Sequence, residues 1–169
     1  MLHVGLLSDT HGYLDEPILK HLEKCDEIWH AGDVGTVHIL DQLERIKPVR
    51  VVFGNIDGRD VRLRCPEHQR FDLEGVRIWM THIGGAPPRY NPQVRPELQR
   101  QTPDLFICGH SHILRVMRDP ALGKMLYVNP GAAGHHGFHH VRTLLRFGLD
   151  AGKVVNMEVV ELGRRGAMG

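Results

Sequence analysis

The stretch Leu2-His3-Val4-Gly5-Leu6-Leu7-Ser8-Asp9-Thr10-His11 decides how the rest of the chain is interpreted. Its apolar first part, Leu2 to Leu7, predicts a buried strand. Asp9 and His11 follow directly, so both side chains are expected in a crevice at the end of that strand. Carboxylate and imidazole groups bind metal ions, but a metal site needs more donors than this pair supplies. The partners of Asp9 and His11 must come from later in the chain.

Composition predicts one intracellular domain. A length of 169 residues suits a single domain, expected over residues 1–162 with a flexible tail at 163–169. The formal charge of +1 gives no indication of a nucleic-acid or membrane partner. Cys25, Cys65 and Cys108 have no C-x-x-C spacing, which argues against a disulfide framework and a zinc knuckle. With no signal peptide or membrane span in the sequence, we expect a cytoplasmic protein.

The first third of the chain alternates between strand and helix patterns. The predicted strands are Leu2 to Leu7, Glu27 to His30 and Val49 to Phe53, and the predicted helices are Leu14 to Cys25 and Thr36 to Ile46. Such an order predicts a parallel sheet with right-handed crossovers.

The rest of the chain reads mostly as antiparallel pairs. Predicted hairpins pair His68 to Leu73 with Val76 to Met80, Ile113 to Met117 with Met125 to Val128, and Val141 to Phe147 with Val154 to Val160. A further buried strand is expected at Asp104 to Cys108, after a Pro-rich loop at Ala86 to Pro96 and a short helix ending near Gln101. Mixed sheets with helices outside predict an α/β sandwich.

Strand after strand ends in a donor residue close to glycine. These donors are Asp9, His11, Asp33, Asn55, His82, His110 and His112. Ligands bind beyond the carboxyl ends of strands in open α/β sheets, so donors far apart in sequence can converge there. Each donor alone also fits ordinary turn chemistry, and a single His is usually only a hydrogen-bonded polar residue. Five strand ends with this order of donors make metal binding the better interpretation.

The same motifs give the chain a resemblance to a known superfamily. Ser8-Asp9-Thr10-His11, His30-Ala31-Gly32-Asp33, Gly54-Asn55-Ile56-Asp57, Thr81-His82, Gly109-His110-Ser111-His112 and Asn129-Pro130-Gly131 resemble those of calcineurin-like metallophosphoesterases, particularly small bacterial and archaeal phosphodiesterases of the YfcE type. The resemblance implies a four-layer α-β-β-α sandwich of two mixed sheets flanked by helices.

The resemblance also implies a dinuclear metal site. One ion would be held by Asp9, His11, Asp33 and His112, and the other by Asp33, Asn55, His82 and His110, with Asp33 bridging the pair. Oxygen and imidazole donors without thiolate favour two divalent ions, Mn²⁺ first, with iron, zinc or nickel as alternatives. A metal-bound hydroxide would then attack a small phosphate ester, most readily a phosphodiester.

Two departures from the family's fuller patterns concern proton transfer to the leaving group. Ile56 replaces a His that assists the leaving group in larger protein phosphatases, and Gly84 stands where related small enzymes often have a second His. Asn55 and Asp57 remain as candidate catalytic residues, with Asp57 expected to orient a neighbouring ligand.

Three other segments leave alternatives open. His135, His136, His139 and His140 form either a solvated loop or a source of phosphate contacts and of the missing general acid. Arg59, Arg62 and Arg64 either form a solvated charged surface or attract an anionic substrate toward the site. The Pro-rich loop is long enough to cover one side of the site and to influence substrate choice.

Three functions are therefore compared. A metal-dependent phosphodiesterase is preferred, with phosphomonoesterase activity as a variant. A binding scaffold is the alternative from another class, because the superfamily includes a retromer subunit that uses this fold as an interaction platform. A protein with a purely structural metal is the third. The natural substrate, the native metal and the oligomeric state, a homo-oligomer included, stay open.

Overall fold

The structure is a computed structural model that describes residues 1–166. Its helices are α1 (Glu16–Glu23), α2 (Val37–Glu44), α3 (Arg59–Arg62) and α4 (Arg95–Arg100). Its strands are β1 (Leu2–Leu7), β2 (Glu27–His30), β3 (Val49–Val51), β4 (His68–Leu73), β5 (Val76–Thr81), β6 (Gly85–Ala86), β7 (Arg89–Tyr90), β8 (Leu105–Ile107), β9 (Arg115–Asp119), β10 (Met125–Asn129), β11 (Val141–Asp150) and β12 (Lys153–Arg164). A 3-10 turn at Pro120–Leu122 links β9 to β10.

Two five-stranded mixed sheets form the centre of the molecule. The first has the order β12-β11-β1-β2-β3, with β1, β2 and β3 parallel and β11 antiparallel to both of its neighbours. The second has the order β4-β5-β8-β10-β9, with a parallel centre of β5, β8 and β10 and an antiparallel strand at each edge. The parallel order of β1, β2 and β3 and the three antiparallel hairpins confirm the sequence prediction. The parallel centre of the second sheet was not predicted.

Three apolar layers confirm the four-layer sandwich. The central layer lies between the sheets, where Val4, Leu6 and Trp29 of the first sheet pack with residues such as Ile78 and Leu105 of the second. A second layer packs α1 and α2 on the outer face of the first sheet. A third packs α4 on the outer face of the second sheet. Burying one face of every sheet and helix in this way leaves the loops at the sheet edges free to form a site.

The helices are shorter than the sequence predicted. Helix α1 begins after Asp15, whose side chain caps it by accepting a hydrogen bond of 3.1 Å from the backbone N–H of Ile18. Pro17 suits the first turn because its missing N–H would be unpaired there. Among residues 1–166, no helix is long and apolar enough to cross a membrane.

A small hairpin and the short helix α3 were not predicted. The Pro-rich segment contains a small hairpin, β6 and β7, around a cis Pro87–Pro88 bond, where we expected only loop. Helix α3 forms in the stretch that looked like alternating surface charge. Arg64, just beyond it, pairs with Asp41 and Glu44 of α2, so its charge is already used within the protein.

The C-terminal strand reaches beyond residue 162. Strand β12 continues to Arg164, which pairs with Val141 of β11, and the backbone N–H of Arg165 donates to the carbonyl of His140. Residues 167–169 of the predicted tail lie outside the described residues.

Candidate metal centre

The loops that follow five strands, β1, β2, β3, β5 and β8, bring the predicted donors to one end of the sandwich. Asp9, His11 and His112 form one group, and Asp33, His82 and His110 form a second, with the ligand atoms of each group within 4.8 Å of one another. Asn55 joins the second group, since its Oδ1 lies 3.0 Å from Nδ1 of His110. All seven residues singled out from the sequence therefore lie in one cleft.

Asp33 lies between the two groups. Its Oδ2 is 3.4 Å from Nε2 of His11 in the first group and 3.3 Å from Nε2 of His82 in the second. Asp9 lies deeper, with Oδ1 at 3.1 Å from Nε2 of His112 and 3.8 Å from Nε2 of His11 and of His82. The donors thus form one continuous cluster with Asp33 in contact with both halves.

Most of the donors have an unusual backbone conformation. The backbone φ angle is positive at Asp9 (56°), His11 (48°), Asp33 (55°), His110 (69°) and His112 (63°). Left-handed conformations are uncommon for residues other than glycine and cost of order 1–3 kcal/mol each. Their concentration at this cleft indicates that the surrounding structure holds these side chains in place for a function.

Glycines beside the donors allow the loops to approach each other. A Cβ on Gly54 would overlap Oδ1 and the backbone nitrogen of Asp33, and a Cβ on Gly109 would overlap the side chains of Ser8 and Asp9. The close approach expected from the sequence is therefore present at two of the strand ends.

Replacing Gly54 should damage the site from the backbone. In Gly54→Ala the new methyl group meets the backbone of Asp33, which cannot move aside as a flexible side chain would. We expect a loss of about 1–3 kcal/mol in unfolding free energy and weaker Mn²⁺ binding. Urea unfolding and calorimetric metal titration measure the two effects. Gly58→Ala is the control, since a Cβ there makes only an ordinary contact with Asp60; equal behaviour of the two variants would contradict the close-approach interpretation.

Hydrogen bonds from the surroundings orient the two carboxylates. Oδ2 of Asp9 accepts from the hydroxyl of Ser8 at 2.6 Å and from the backbone N–H of His110 at 3.2 Å. Oδ1 of Asp33 accepts from the backbone N–H of Ile56 at 3.1 Å. Each carboxylate therefore has one oxygen held by the protein and the other turned toward the imidazoles.

Asp57 joins the loop of Asn55 to the loop of Asp33 through hydrogen bonds. Its buried carboxylate accepts hydrogen bonds from the backbone N–H groups of Gly54 (2.8 Å), Val34 (3.1 Å) and Gly35 (2.8 Å). These donors belong to the loop of Asn55 and the loop of Asp33. Asp57 thus acts on the site through the backbone, which makes it a positioning residue.

Hydrogen bonds through His30 and Thr10 also join the loop of Asp9 to the loop of Asp33, a link that the sequence analysis did not identify. Nδ1 of the buried His30 accepts from the backbone N–H of Gly32 at 3.1 Å, so its Nε2 carries the proton and donates to Thr10 Oγ1 at 2.9 Å. The Thr10 hydroxyl in turn donates to the carbonyl of Val34. Burial lowers the pKa of His30 to about 4, so the ring stays neutral. The only sequence signal was the position of His30 directly before Ala31-Gly32-Asp33.

Asn129 of the predicted Asn-Pro-Gly motif holds the loop of His110 and His112. Its side-chain amide donates to the carbonyl of Gly109 and to the hydroxyl of Ser111, each at 3.0 Å. Its Oδ1 accepts from the backbone N–H of Gly131. The motif therefore contributes to the geometry of the site and leaves ligation to its neighbours.

The carboxylates and imidazoles of the cluster shift one another's pKa. The adjacent carboxylates of Asp33 and Asp9 raise the pKa of His11 to about 9. Burial favours the neutral acid at both aspartates, yet the neighbouring imidazoles outweigh it and leave the pKa of Asp9 and of Asp33 well below the ordinary value. Without a metal, protons therefore hold these carboxylates and imidazoles together, and a cation that binds there must displace them.

The donor atoms fit divalent cations. Nε2 of His11 and Nε2 of His82 are buried and have no hydrogen-bond partner among the described residues. Both nitrogens face the carboxylate of Asp33, while Nδ1 of His82 donates to the carbonyl of Ala31 at 2.7 Å. A second hydrogen bond of this kind is how proteins orient a metal-binding imidazole. Buried, unpartnered nitrogens between two carboxylates are positioned to bind cations.

The His-rich loop touches the first donor group. The ring of the exposed His136 stacks on His11 with a centroid distance of 4.6 Å, and His139 packs edge-on against His112 at 5.1 Å. Nε2 of His139 donates to the carbonyl of Gly134. His135 instead bonds to the backbone carbonyl of Arg165, and His140 points outward. Two of the four histidines therefore contact predicted ligands, and two do not.

Ile56 and Gly84, where the sequence departs from the family pattern, supply no imidazole to the site. Ile56 is 47% exposed at the rim of the site. A Cβ on Gly84 would lie 2.8 Å from the ring of Phe106 and 2.9 Å from Cβ of Cys108, so this backbone is packed against the second sheet. Trp29, Trp79 and Cys108 are buried.

Two similar proteins are described as metallophosphoesterases, the family that the sequence motifs predicted. The chain is 31% identical over 137 residues to a probable metallophosphoesterase of Methanothermobacter thermautotrophicus, covering 76% of each chain. It is 32% identical over 140 residues to a probable metallophosphoesterase of Mycoplasma pneumoniae, covering 78% of this chain and 79% of the relative.

Solved structures share the fold at low sequence identity. A novel archaeal phosphodiesterase superposes with a TM-score of 0.75 at 17% identity, covering 95% of this chain and all of that one. Vps29 of Entamoeba histolytica complexed with Zn²⁺ superposes with a TM-score of 0.73 at 19% identity, covering 95% of this chain and 99% of that one. These likenesses establish the fold.

A family model matches most of the chain. The family model described as the calcineurin-like phosphoesterase superfamily domain matches residues 2–152, which include all the donors described above. The chain therefore belongs to the calcineurin-like phosphoesterase superfamily, a family of metal-dependent phosphoesterases.

Proposed function

We propose that this protein is a phosphodiesterase that works with two divalent metal ions. The observation that carries the proposal is the paired donor cluster, in which Asp33 lies 3.4 Å and 3.3 Å from the buried, unpartnered nitrogens of His11 and His82. A fold alone does not require such a cluster, because a scaffold gains nothing from backbone strain and unpaired buried nitrogens.

The chain supplies ligands for both ions. Asp9, His11, Asp33 and His112 would hold the first, and Asp33, Asn55, His82 and His110 the second. Oxygen and imidazole donors without thiolate favour Mn²⁺, with iron, zinc and nickel as alternatives. When bound, such ions stabilise charge on phosphoryl oxygens and lower the pKa of an attacking water.

Charge and exposure in the cluster suit an anionic ester. The carboxylates of Asp9 and Asp33 carry fewer negative charges than two divalent ions carry positive ones, so a phosphate group is attracted. Asn55 and His110 are exposed, whereas Asp9, Asp33 and His82 are buried. The substrate therefore approaches from the side of Asn55 and His110.

Two clefts on either side of this approach favour diesters over monoesters. One, of about 460 Å³, includes His110 in its lining, and the other, of about 250 Å³, includes Asn55 and His82. Ile83 and Asn91 line both clefts and separate them. A phosphodiester has two organic substituents to place and a monoester only one, so paired clefts support a diester.

The absence of an imidazole at Ile56 and Gly84 limits the range of leaving groups. A leaving alkoxide requires a proton, whereas a nitrophenolate leaves without one. We therefore expect activated aryl diesters to be turned over much faster than dialkyl diesters.

Metal removal and restoration test the proposal. We expect two metal ions per chain, loss of bis(4-nitrophenyl) phosphate turnover after chelation, and recovery with Mn²⁺. Turnover of 4-nitrophenyl phosphate under the same conditions should be lower, which distinguishes a diesterase from a monoesterase. Metal analysis and absorbance of released nitrophenolate measure these results. Protein that binds no ion under saturating Mn²⁺, or binds ions without hydrolysing any ester, would exclude the enzyme and favour a scaffold or a structural metal.

A further inference from the structure

The larger of the two clefts has a wall that sequence reasoning could not describe. The cleft of about 460 Å³ runs from His110 along the hairpin β6–β7 and the chain after His110. Tyr127 contributes a nearly fully buried side chain whose hydroxyl donates to the carbonyl of Gly85 at 2.6 Å. The phenol hydroxyl is thus already hydrogen-bonded, and it links β10 to β6 in this wall of the cleft.

The cleft presents apolar side chains beside a polar site. Ile113 is 64% exposed and Ile83 is 37% exposed, and both line it. Single exposed isoleucines are ordinary on a protein surface. Two that face one concave cleft next to a donor group provide an apolar contact for a ligand.

Two arginines in the same cleft lack an acidic partner. No carboxylate lies within 4.0 Å of Arg89 or Arg115 in residues 1–166, whereas several other arginines are ion-paired: Arg50, Arg64, Arg77, Arg100, Arg142 and Arg146. The guanidinium of Arg115 lies 6.0 Å from the ring centroid of Tyr127. Asp119 is buried and accepts from the hydroxyl of Tyr90 at 2.6 Å. The cleft is therefore both apolar and positively charged.

We propose, on the basis of the phosphodiesterase function above, that this cleft binds an aromatic substituent of the diester that carries an additional negative charge. A flat ring can pack between Ile83 and Ile113, and guanidinium groups bind aromatic faces and carboxylate or phosphate oxygens. The neighbouring cleft of about 250 Å³ takes the smaller substituent. Arg89 and Arg115 are then specificity-determining residues that act on binding of the substituent and leave the reacting phosphorus to the donor cluster.

Three diesters that release the same 4-nitrophenolate test this specificity. Their second substituents are ethyl, phenyl and 3-carboxyphenyl. We expect kcat/KM of the Mn²⁺-loaded protein to be about tenfold higher for 3-carboxyphenyl than for phenyl, as one charge-assisted contact provides. Arg115→Met and Arg89→Met, which keep an apolar stem, should each remove most of this preference through KM. Arg115→Lys should restore part of it.

Arg118→Met is the matched control. Arg118 is on the same strand as Arg115 but does not line the cleft, and it bonds to the carbonyl of Lys124. This variant should keep the preference of the unmodified protein. Equal kcat/KM for the phenyl and carboxyphenyl esters, or a preference unchanged in both cleft variants, would overturn the cleft assignment while the phosphodiesterase function stands.

A binding measurement decides the cleft assignment even without turnover. The methyl ester of benzylphosphonate and its 3-carboxy derivative cannot release an aryl alcohol. Methyl NMR signals of Ile83 and Ile113 should shift with both compounds, with tighter binding of the carboxy derivative that Arg115→Met abolishes. Absence of these shifts would refute the cleft. Failure of turnover with shifts present would refute only the phosphodiesterase function.

Discussion

Asp33→Asn is expected to reduce kcat/KM for bis(4-nitrophenyl) phosphate by about a thousandfold or more. Asp33 is the residue whose carboxylate oxygen lies 3.4 Å from His11 and 3.3 Å from His82, in contact with both donor groups. An amide has no charge to share between two cations, and several kcal/mol of charge stabilisation is then lost. The measurement is steady-state kinetics at saturating Mn²⁺, with metal content determined on the same samples.

The same variant has a readout that does not depend on activity. In metal-free protein, the adjacent carboxylates of Asp33 and Asp9 raise the pKa of His11 to about 9. Asp33→Asn removes the larger contributor, so the pKa of His11 should fall toward the ordinary value in an NMR titration. The amide oxygen can still accept the bond from the N–H of Ile56, so the fold should persist.

Asp72→Asn is the control for the loss of one carboxylate. Asp72 is exposed on β4, on the edge of the second sheet, and is not part of the donor cluster. It should leave both the kinetics and the His11 titration unchanged. Near-normal turnover in Asp33→Asn would mean that the bridging role belongs elsewhere, with Asp9 the first candidate since it also lies within 3.8 Å of His11 and His82.

The sequence was sufficient to locate the donors because strand ends are readable from it. Apolar runs that stop at Asp9, Asp33 and His82 mark where buried strands leave the core, and parallel order places those ends at one edge. The order of helices and strands predicted an α/β sandwich, and the family resemblance implied its four layers. The exact helix ends were less accessible, since capping at Asp15 depends on one side-chain hydrogen bond.

The conformation that aims the donors could not be predicted. Propensity disfavours positive φ at Asp9, His11, Asp33, His110 and His112, yet all five adopt it. Only the assembled loops, tied by bonds such as Ser8 to Asp9, make that conformation the stable one. Local sequence rules fail at this cleft because the site requires strain that the rest of the fold offsets.

The walls of the clefts were equally inaccessible. Arg89 and Arg115 are 26 residues apart in the sequence and line one cleft only because the hairpin β6–β7 and the start of β9 both border it. The Pro-rich segment was recognised as a candidate for substrate choice, but its residues alone gave no chemistry. Specificity therefore depends on packing between the second sheet and its loops, which a single sequence does not specify.

Asp57→Ala is expected to lower the free energy of unfolding by about 3–5 kcal/mol. The change leaves the buried N–H groups of Gly54 and Val34, and the partly buried N–H of Gly35, without their acceptor. Each bond to a carboxylate contributes about 1.5–3 kcal/mol, and the three are not additive because they share one side chain. Urea unfolding of the metal-free protein measures this loss. Asp60→Ala, at an exposed position three residues later, should cost far less.

Metal affinity distinguishes positioning by Asp57 from a general effect on stability. Asp57 joins the loop of Asn55 to the loop of Asp33, so its removal should weaken Mn²⁺ binding by about 10–100-fold even at temperatures where the variant is folded. Val61→Ala supplies a destabilised control, because Val61 is the fully buried residue of α3 and is not part of the donor cluster. Similar metal affinity in the two folded variants would show that Asp57 acts on stability alone. Weaker Mn²⁺ binding in Asp57→Ala alone would mean that this carboxylate sets the distance between the loop of Asn55 and the loop of Asp33.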